Sequence, residues 1–266
     1  MVGARLQVIG GGKMGEALFA GLLAKGWATA EQLCVVEKDP GRAEALRAAF
    51  PGAQVVDEPV AANGHVVAVK PPDVPAVCGA LKSMGDRAPV LSIAAGVTTA
   101  TLESGLAPGT PVVRAMPNTA ALVGAAASAL APGSSAGDAE LDWAEGILGA
   151  VGTVVRVDEG LLDAVTGLSG SGPAYLFLVV EALIDAGVLA GLTRPVSAAL
   201  ATQTLVGVGK LLVDTGEPPI LLRTAVTSPA GTTAAGLRVL EQQGVRAALL
   251  DAVMAATERS RELGQG

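Results

Sequence analysis

The apolar residues in the first half of the chain fall into short continuous runs, separated by stretches with helical spacing. The first run is Leu6 to Ile9, after which Leu18, Leu22 and Leu23 share one face of a predicted helix. Continuous runs are typical of parallel strands buried on both faces, whereas half-exposed strands alternate apolar and polar residues. The pattern therefore predicts an α/β, doubly wound sheet in this half of the chain.

Six more apolar runs predict the strands that follow the first. These runs are residues 32–36, 54–56, 66–69, 89–93, 111–114 and 153–157. Helices are predicted between them at 41–50, at 73–84 with Asp73 as its N-cap, and at 141–148. Strands that alternate with helices in this way form βαβ units.

The pattern changes near residue 158, after which no strand run follows. Helices are predicted at 173–189, with Ser171 as cap, at 195–213, and once or twice within 237–263. We therefore predict two domains: a dinucleotide-binding domain at 1–158 and an all-helical domain at 159–266.

The first helix of the predicted helical domain is apolar on more than one side, since Leu176 to Val180 are five apolar residues in succession. A helix that is apolar all round is usually buried. A small helical domain has little interior, so burial against a second copy of the chain is favoured over burial under the first domain. A homodimer at least is expected.

Composition narrows the class of protein. Of 266 residues half are apolar and only six are aromatic, so the core must be aliphatic. The net charge of −7, without a basic block, argues against a nucleic-acid partner.

Cys34 and Cys78 are isolated and are expected to be buried thiols in a reducing compartment. No signal peptide is recognised, and the most apolar later stretch contains Glu181 and Asp185, so we expect a cytoplasmic protein with no membrane span.

A glycine-rich loop follows the first strand directly. Its spacing, Gly10-x-Gly12-x-x-Gly15, is that of the dinucleotide fingerprint, in the required strand-to-helix context. Gly10 would make the turn, Gly12 would let the backbone approach a pyrophosphate, and Gly15 would let helix and strand pack closely. An ordinary glycine-rich turn is the weaker alternative. The loop predicts a Rossmann-type domain that binds NAD(H) or NADP(H) at a helix N-terminus.

The residue after the second strand is Glu37, 22 positions beyond Gly15. An acidic residue there normally binds the ribose 2′-hydroxyl of NAD and repels the 2′-phosphate of NADP. The neighbouring Lys38 would partly offset that repulsion. The alternative is a charged turn without a role in binding.

Two further segments follow strands at the edge where open α/β sheets bind ligands. Lys70-Pro71-Pro72 ends the fourth strand, and Arg114 to Thr119 ends the sixth and is expected to reach the nicotinamide end. A simple turn at Pro117-Asn118 explains the second segment about as well, because Pro and Asn are common turn formers.

The sequence gives no support for nucleophilic catalysis with a histidine or for a metal site. The single histidine, His65, lies in a predicted loop before an apolar strand, and no nucleophile motif accompanies it. No cluster with metal-ligand spacing is present, so no metal site is predicted.

Motifs along almost the whole chain resemble those of pyrroline-5-carboxylate reductase. The most specific are Gly167-Leu-Ser-Gly-Ser-Gly-Pro-Ala-Tyr175 and Ser228-Pro-Ala-Gly-Thr-Thr233. Ala68 to Pro71, Ser92 to Val97 and Arg114 to Thr119 are similar to the family's N-terminal motifs. The resemblance implies reduction of 1-pyrroline-5-carboxylate to L-proline by NAD(P)H, the last step of proline biosynthesis. It also implies a helical dimerisation domain and assembly as dimers or rings of dimers, often decamers.

The fingerprint and the resemblance together imply the site residues. Those for the cofactor are Gly10, Gly12, Lys13, Met14, Gly15, Glu37, Lys38, Ala68, Val69, Lys70, Pro71 and Asn118. Those for the substrate are Glu217, Ser228, Gly231, Thr232 and Thr233. Thr233 is also the predicted catalytic residue: Thr232 or Thr233 would cap a helix whose free N–H groups suit a carboxylate, and the Thr233 hydroxyl would bond the ring nitrogen. Taken alone, this segment fits a plain capped helix start equally well.

The chain departs from the family pattern at four positions. Ala230 replaces a glycine, Pro218 a common histidine and Thr224 a common aspartate, while Glu37 replaces a small polar residue. Two other classes stay open. One is a Rossmann dehydrogenase of 3-hydroxy acids, which would need a catalytic lysine such as Lys210, the only lysine after residue 158. The other is a non-catalytic nucleotide sensor.

Overall fold

The structure, a computed structural model, describes residues 4–264 and divides into two compact units. The first unit is formed by residues up to Ser171 together with the segment from Ala255 onward, and the second by Gly172–Met254. The outermost residues of the two predicted domains, 1–3 and 265–266, lie outside the described residues. The first unit extends past residue 158, so residues 159–171 pack with the sheet.

An eight-stranded sheet forms the centre of the first unit, in the order β3-β2-β1-β4-β5-β6-β7-β8. The strands are β1 Leu6–Ile9, β2 Leu33–Val36, β3 Gln54–Val56, β4 His65–Val67, β5 Val90–Ser92, β6 Val112–Met116, β7 Ala126–Pro132 and β8 Gly152–Arg156. All neighbouring pairs are parallel except β6 and β7. The doubly wound sheet is confirmed.

The sequence prediction missed β7. Its sequence, Ala-Ala-Ser-Ala-Leu-Ala-Pro, is rich in alanine, which has little intrinsic preference for strands. The strand forms because it pairs with β6 on one side and β8 on the other. His65 was also misplaced, since it is the first residue of β4 and not part of a loop.

Helices cover the sheet. They are α1 Lys13–Ala24, α2 Pro40–Ala49, α3 Val74–Ser83, α4 Thr99–Gly105, α5 Asp138–Leu148 and the short α6 Leu162–Val165. The predicted cap of α3 is only partly right: Asp73 precedes the helix, but it ends a 3-10 turn and its side chain makes no capping hydrogen bond. The largest fully buried side chains are one phenylalanine, ten leucines and one isoleucine, which confirms an aliphatic core.

Both cysteines lie in this core as free thiols. Cys34 is in β2 and Cys78 is in α3, and burial raises the pKa of each thiol. A raised pKa keeps the reactive thiolate form scarce. The prediction of small buried hydrophobes is confirmed.

The second unit is entirely helical in its described residues. Its helices are α7 Gly172–Leu189, α8 Arg194–Thr215, α9 Pro219–Ala225 and α10 Thr232–Gln242, and α11 Val245–Gly264 begins in it and ends in the first unit. Helices α7 and α8 approach closely where the Ser197 hydroxyl donates to the Ile184 carbonyl at 2.7 Å. A β-carbon at Gly187 would lie 2.1 Å from that hydroxyl oxygen.

Burial in the second unit is almost absent. Ser197 is the only buried residue among 172–254, and Phe177 and Leu178 are two-thirds exposed. By length and composition alone, Glu159–Leu189 and Arg194–Thr215 would be long and apolar enough to cross a membrane. The helices of this unit therefore leave large apolar faces uncovered within one chain.

Candidate active site

The glycine loop between β1 and α1 forms an open cradle. Gly10 has φ 109°, and a β-carbon there would lie 2.7 Å from the Ala68 carbonyl oxygen. A β-carbon at Gly15 would lie 2.0 Å from the Gly10 carbonyl oxygen, so helix and strand touch there. Gly12 is the N-cap of α1 without a side-chain cap, and a β-carbon on it would meet nothing within 4 Å. The space and the unpaired N–H groups at this helix N-terminus suit a pyrophosphate.

The Glu37 carboxylate is held against this loop. Its Oε2 accepts a hydrogen bond from the Gly11 N–H at 3.1 Å, and its Oε1 accepts one from the Asp39 N–H at 2.9 Å. A β-carbon at Gly11 would lie 2.4 Å from Leu46 Cδ1 and 3.0 Å from Glu37 Oε2. Gly11 lies between the fingerprint glycines, and the fingerprint spacing alone predicts no role for it.

Arg42 holds the same loop from α2. Its Nε donates to the Gly11 carbonyl at 2.7 Å, and its guanidinium pairs with Glu16 of α1. The Arg42 N–H in turn donates to the Asp39 carboxylate at 2.7 Å, which caps α2. Sequence reasoning missed Arg42 because nothing in the spacing shows that α2 faces the loop.

Two cavities lie along the carboxyl ends of the strands and meet at Ala68 and Val69. The first, of about 430 Å³, is lined by Ile9, Gly10, Gly12, Val36, Glu37, Lys38, Ala68, Val69, Lys70, Asp73 and Ala76. The second, of about 300 Å³, is lined by Met14, Ala68, Val69, Ile93, Ala94, Ala95, Met116, Pro117, Asn118, Thr119 and Gly170. Glu37 and Lys38 also border a third cavity of about 460 Å³ next to α2. Nine of the twelve predicted cofactor residues therefore line one extended cleft.

Three predicted cofactor residues do not line this cleft. Gly15 packs beneath the loop, Lys13 is the exposed first residue of α1, and Pro71 begins a 3-10 turn. Pro71 lines a separate cavity of about 360 Å³, which also includes Ala95 and Arg259.

Asn118 joins three segments at the far end of the cleft. Its Oδ1 accepts from the N–H groups of Ala120 and Ala127, both at 3.3 Å, and its Nδ2 donates to the Ser169 carbonyl at 3.0 Å. Ser169 belongs to a π-helix, Thr166–Gly170, within the segment that resembles the family signature.

Arg114, the first residue of the segment 114–119, does not line the cleft, whereas residues 116–119 do. Arg114 is buried, and its guanidinium donates to the Glu159 carboxylate at 3.1 Å. Glu159 also accepts from the Thr99 N–H at 2.7 Å and the Thr99 hydroxyl at 2.6 Å. Burial would raise the pKa of Glu159, but these hydrogen bonds lower it below its usual value. The ion pair ties residues after 158 to the sheet, and sequence reasoning missed Glu159.

His65 lies at the opposite ends of the strands from the cleft. Its Nε2 lies 3.0 Å from the Asp86 carboxylate, and its Nδ1 has no hydrogen-bond partner. Burial lowers the pKa of His65 more than Asp86 raises it, so the ring is neutral at pH 7. His65 is a buried structural residue.

In the second unit, Ser228 to Gly231 form a turn that leads into α10. The Gly231 N–H donates to the Ser228 carbonyl at 3.1 Å, and Ala230 has φ 57°, the only positive φ of a described residue other than glycine. Pro at the second position and a positive φ at the third are typical of a type II turn, which prefers Gly at the third. Ala230 therefore adopts the conformation that the family glycine would adopt freely.

The predicted cap of α10 is wrong. Gly231 is the N-cap, in an extended conformation and without a side-chain cap, and Thr232 and Thr233 are the first two helical residues. A β-carbon at Gly231 would lie 2.3 Å from the Ser228 hydroxyl oxygen, so a larger residue there would require that hydroxyl to move. No threonine side chain therefore occupies the N–H groups of the first turn.

The remaining candidates of the second unit are exposed. Glu217 follows α8, and its N–H donates to the Thr215 hydroxyl at 3.2 Å. Lys210 pairs with Asp214 one turn along α8 at 2.7 Å, with 72% of its side chain exposed. Lys210 is therefore an exposed residue whose partner lies on its own helix.

Comparison with known proteins gives two family matches. Residues 159–263 match the family described as "Pyrroline-5-carboxylate reductase dimerisation", and residues 5–96 match "NADP oxidoreductase coenzyme F420-dependent". A pyrroline-5-carboxylate reductase of Methanosarcina acetivorans is 44% identical over 272 residues, with 100% of both chains covered. One from Mycobacterium tuberculosis is 45% identical over 286 residues, covering 98% of this chain and 97% of its own.

Solved structures agree with the sequence comparison. A pyrroline-5-carboxylate reductase from Coxiella burnetii superposes with a TM-score of 0.92 at 34% identity, with 98% of both chains covered. The Plasmodium falciparum enzyme with NADP bound gives 0.83 at 28% identity, with 99% of both chains covered. Given this cleft, these motifs and relatives that match from end to end, the chain belongs to the pyrroline-5-carboxylate reductase family.

Proposed function

We propose that this protein reduces 1-pyrroline-5-carboxylate to L-proline with NADH or NADPH, the last step of proline biosynthesis. The observation that carries the proposal is the cleft in which the glycine loop and the motif residues 68–69 and 116–118 meet. Its lining fits a dinucleotide, with the pyrophosphate at the N-terminus of α1 and the nicotinamide near Asn118.

Different cofactor residues would bind different parts of the dinucleotide along the cleft. The loop N–H groups at Gly12 and after it would bind the pyrophosphate, and Glu37 would accept from the ribose hydroxyls. Both Glu37 oxygens already accept backbone N–H groups, so the carboxylate is fixed at this position. We expect NADH to be used at least as well as NADPH, because a 2′-phosphate would meet this fixed negative charge.

The substrate residues lie in the second unit. The free N–H groups of the first turn of α10 would bind the carboxylate, with Ser228 and Gly231 shaping the approach and Glu217 lining the site. The Thr233 hydroxyl would form a hydrogen bond with the ring nitrogen and orient it. When bound, the reduced nicotinamide supplies a hydride. A protonated cyclic imine is already an electrophile, so positioning by these residues contributes more than acid catalysis.

The exposed apolar faces of α7 and α8 would be covered by a second copy of the chain. The matched region is described as a dimerisation region, so homo-oligomerisation is supported. We propose interleaved dimers, with a decamer as the larger assembly, in the cytoplasm and without a membrane or nucleic-acid partner. We propose a functional boundary at residue 158, and the start of the matched dimerisation region at Glu159 supports it.

The test is oxidation of NADH and of NADPH with 1-pyrroline-5-carboxylate, measured side by side on the wild type and Lys210→Ala. Turnover by both proteins supports the proposal. Turnover lost only in Lys210→Ala would favour lysine-dependent catalysis of the hydroxy-acid dehydrogenase type over catalysis by positioning. Cofactor binding without imine turnover by the wild type would favour a nucleotide sensor and would overturn the proposed function.

A further inference from the structure

Asn118 lies where three segments of the first unit converge on the cleft. It follows β6, its side chain accepts from the N–H groups of Ala120 and Ala127, and it donates to Ser169, which is 51 residues away in the sequence. Only 8% of the residue is exposed. A buried amide with three hydrogen bonds has one orientation, so it holds these segments at fixed spacing.

The Ser169 bond reaches an unusual piece of backbone. Thr166–Gly170 is a π-helix, closed by the Ser171 N–H donating to the Thr166 carbonyl at 2.8 Å. Single π turns insert an extra residue into a helix and recur at functional sites. Gly170, the last residue of this turn, lines the same 300 Å³ cavity as Asn118 and Met116.

The side chain of Met116, the last residue of β6, lies against the π turn. A β-carbon at Gly170 would lie 2.8 Å from the Met116 methyl. The Asn118 amide bridges the same two segments. Loss of that bridge would let the π turn move relative to Met116 and change the width of the cavity.

We propose that Asn118 is a positioning residue that sets the nicotinamide end of the cleft by binding the Ser169 carbonyl. This inference rests on the proposed dinucleotide site, but it requires no turnover of the imine. Asn118 acts on the shape of one end of the cleft, whereas the glycine loop and Glu37 form the other end. The two ends therefore respond separately to a change at residue 118.

The experiment compares Asn118→Asp and Asn118→Ser with the wild type. Aspartate keeps both acceptor bonds but turns an acceptor towards the Ser169 carbonyl, while serine is neutral and too short to reach it. The dissociation constants of NADH and of ADP-ribose, which lacks the nicotinamide, are measured by calorimetry beside the melting temperature. We expect NADH binding to weaken about tenfold in both variants, the value of one hydrogen bond, while ADP-ribose binding changes less than twofold.

A second variant acts on the same wall without touching Asn118. Gly170→Ala would displace the Met116 methyl, and because Met116 lines the cavity, the same selective loss of NADH affinity is expected. Equal losses of NADH and ADP-ribose binding, or unchanged NADH binding in folded Asn118 variants, would overturn the positioning role. Failure of imine turnover in the wild type would instead concern the proposed function, since these binding measurements use no imine.

Discussion

The two compact units have similarly apolar sequences but bury them differently. In the first unit, ten leucines are fully buried, whereas in Gly172–Met254 no large apolar side chain is buried and most are exposed. The first unit can therefore be stabilised by its own core. The second unit depends on a surface that one chain does not supply. An apolar composition thus shows that burial is needed, but it does not show which chain provides it.

The largest effect is expected from a charge introduced on the exposed apolar face of the second unit. Phe177→Glu places a charge on an apolar face, where the side chain is now 68% exposed in one chain. Burying this charge between two copies would be very costly, so the dimer should dissociate or aggregate and activity should fall more than about a hundredfold. Light scattering and assays at micromolar concentration measure both effects.

The matched control is Met84→Glu, at an exposed apolar residue of the first unit. It should leave assembly and activity unchanged. An active, stable Phe177→Glu monomer would contradict the idea that a second copy covers α7.

The next largest effect is expected on turnover efficiency, from loss of the Thr233 hydroxyl in the second unit. Thr233→Ala removes one hydrogen bond, worth about 0.5–1.5 kcal/mol when neutral and about 1.5–3 kcal/mol when charged. Turnover efficiency should fall roughly ten- to hundredfold. NADH affinity should stay the same, because the cofactor residues lie in the other unit.

Two controls sharpen the Thr233 result. Thr233→Ser keeps the hydroxyl and should retain most activity. Because Gly231 is the N-cap, Thr233→Ala should leave the melting temperature nearly unchanged. Full efficiency in a folded Thr233→Ala protein would remove this hydroxyl from the mechanism.

A smaller effect is expected at the cofactor end of the first unit. Glu37→Ser removes the carboxylate that Gly11 and Asp39 hold in place, and preference should shift towards NADPH by about tenfold, or ~1.4 kcal/mol. Glu44→Ser removes the same charge from the exposed side of α2 and serves as the control. Kinetics with both cofactors provide the measurement. A wild type that strongly prefers NADPH, with no change on mutation, would refute the role of Glu37.

The smallest effect concerns the core of the first unit. The pKa of His65 is lowered by burial, so the unfolded chain binds a proton that the folded chain resists. Stability is therefore complete above pH 6.5, the usual value, and is lost as the pH falls below it. Asp86, whose pKa is also lowered by its hydrogen bonds, should reduce stability only below about pH 3.8.

His65→Gln tests this assignment, because its amide can still donate to Asp86 but does not titrate. Urea unfolding should show a stability loss between pH 7.5 and 5 in the wild type that is much reduced in the variant. At pH 7.5 the variant should be about 1–3 kcal/mol less stable. An equal pH dependence in both proteins would assign the effect to other groups.

Much of the fold could be predicted from the sequence because its strands are short runs of valine, leucine and isoleucine beside a glycine loop. Strand β7 was not predicted because its alanine-rich sequence has little strand preference. It is a strand because it pairs with β6 and β8. The cap at Gly231 and the ion pair of Arg114 with Glu159 depend on contacts between residues distant in space or on exact backbone angles. Spacing along the sequence does not contain that information.

Ala230 has a consequence for how this position can vary among related sequences. Its left-handed backbone costs an ordinary L-residue about 1–2 kcal/mol, which glycine escapes and which asparagine and aspartate partly offset. Variation at position 230 should therefore be confined to Gly, Ala, Asn and Asp, although the side chain is exposed within one chain. A β-branched residue would be excluded by the backbone angle alone, so at this position selection acts on a torsion angle.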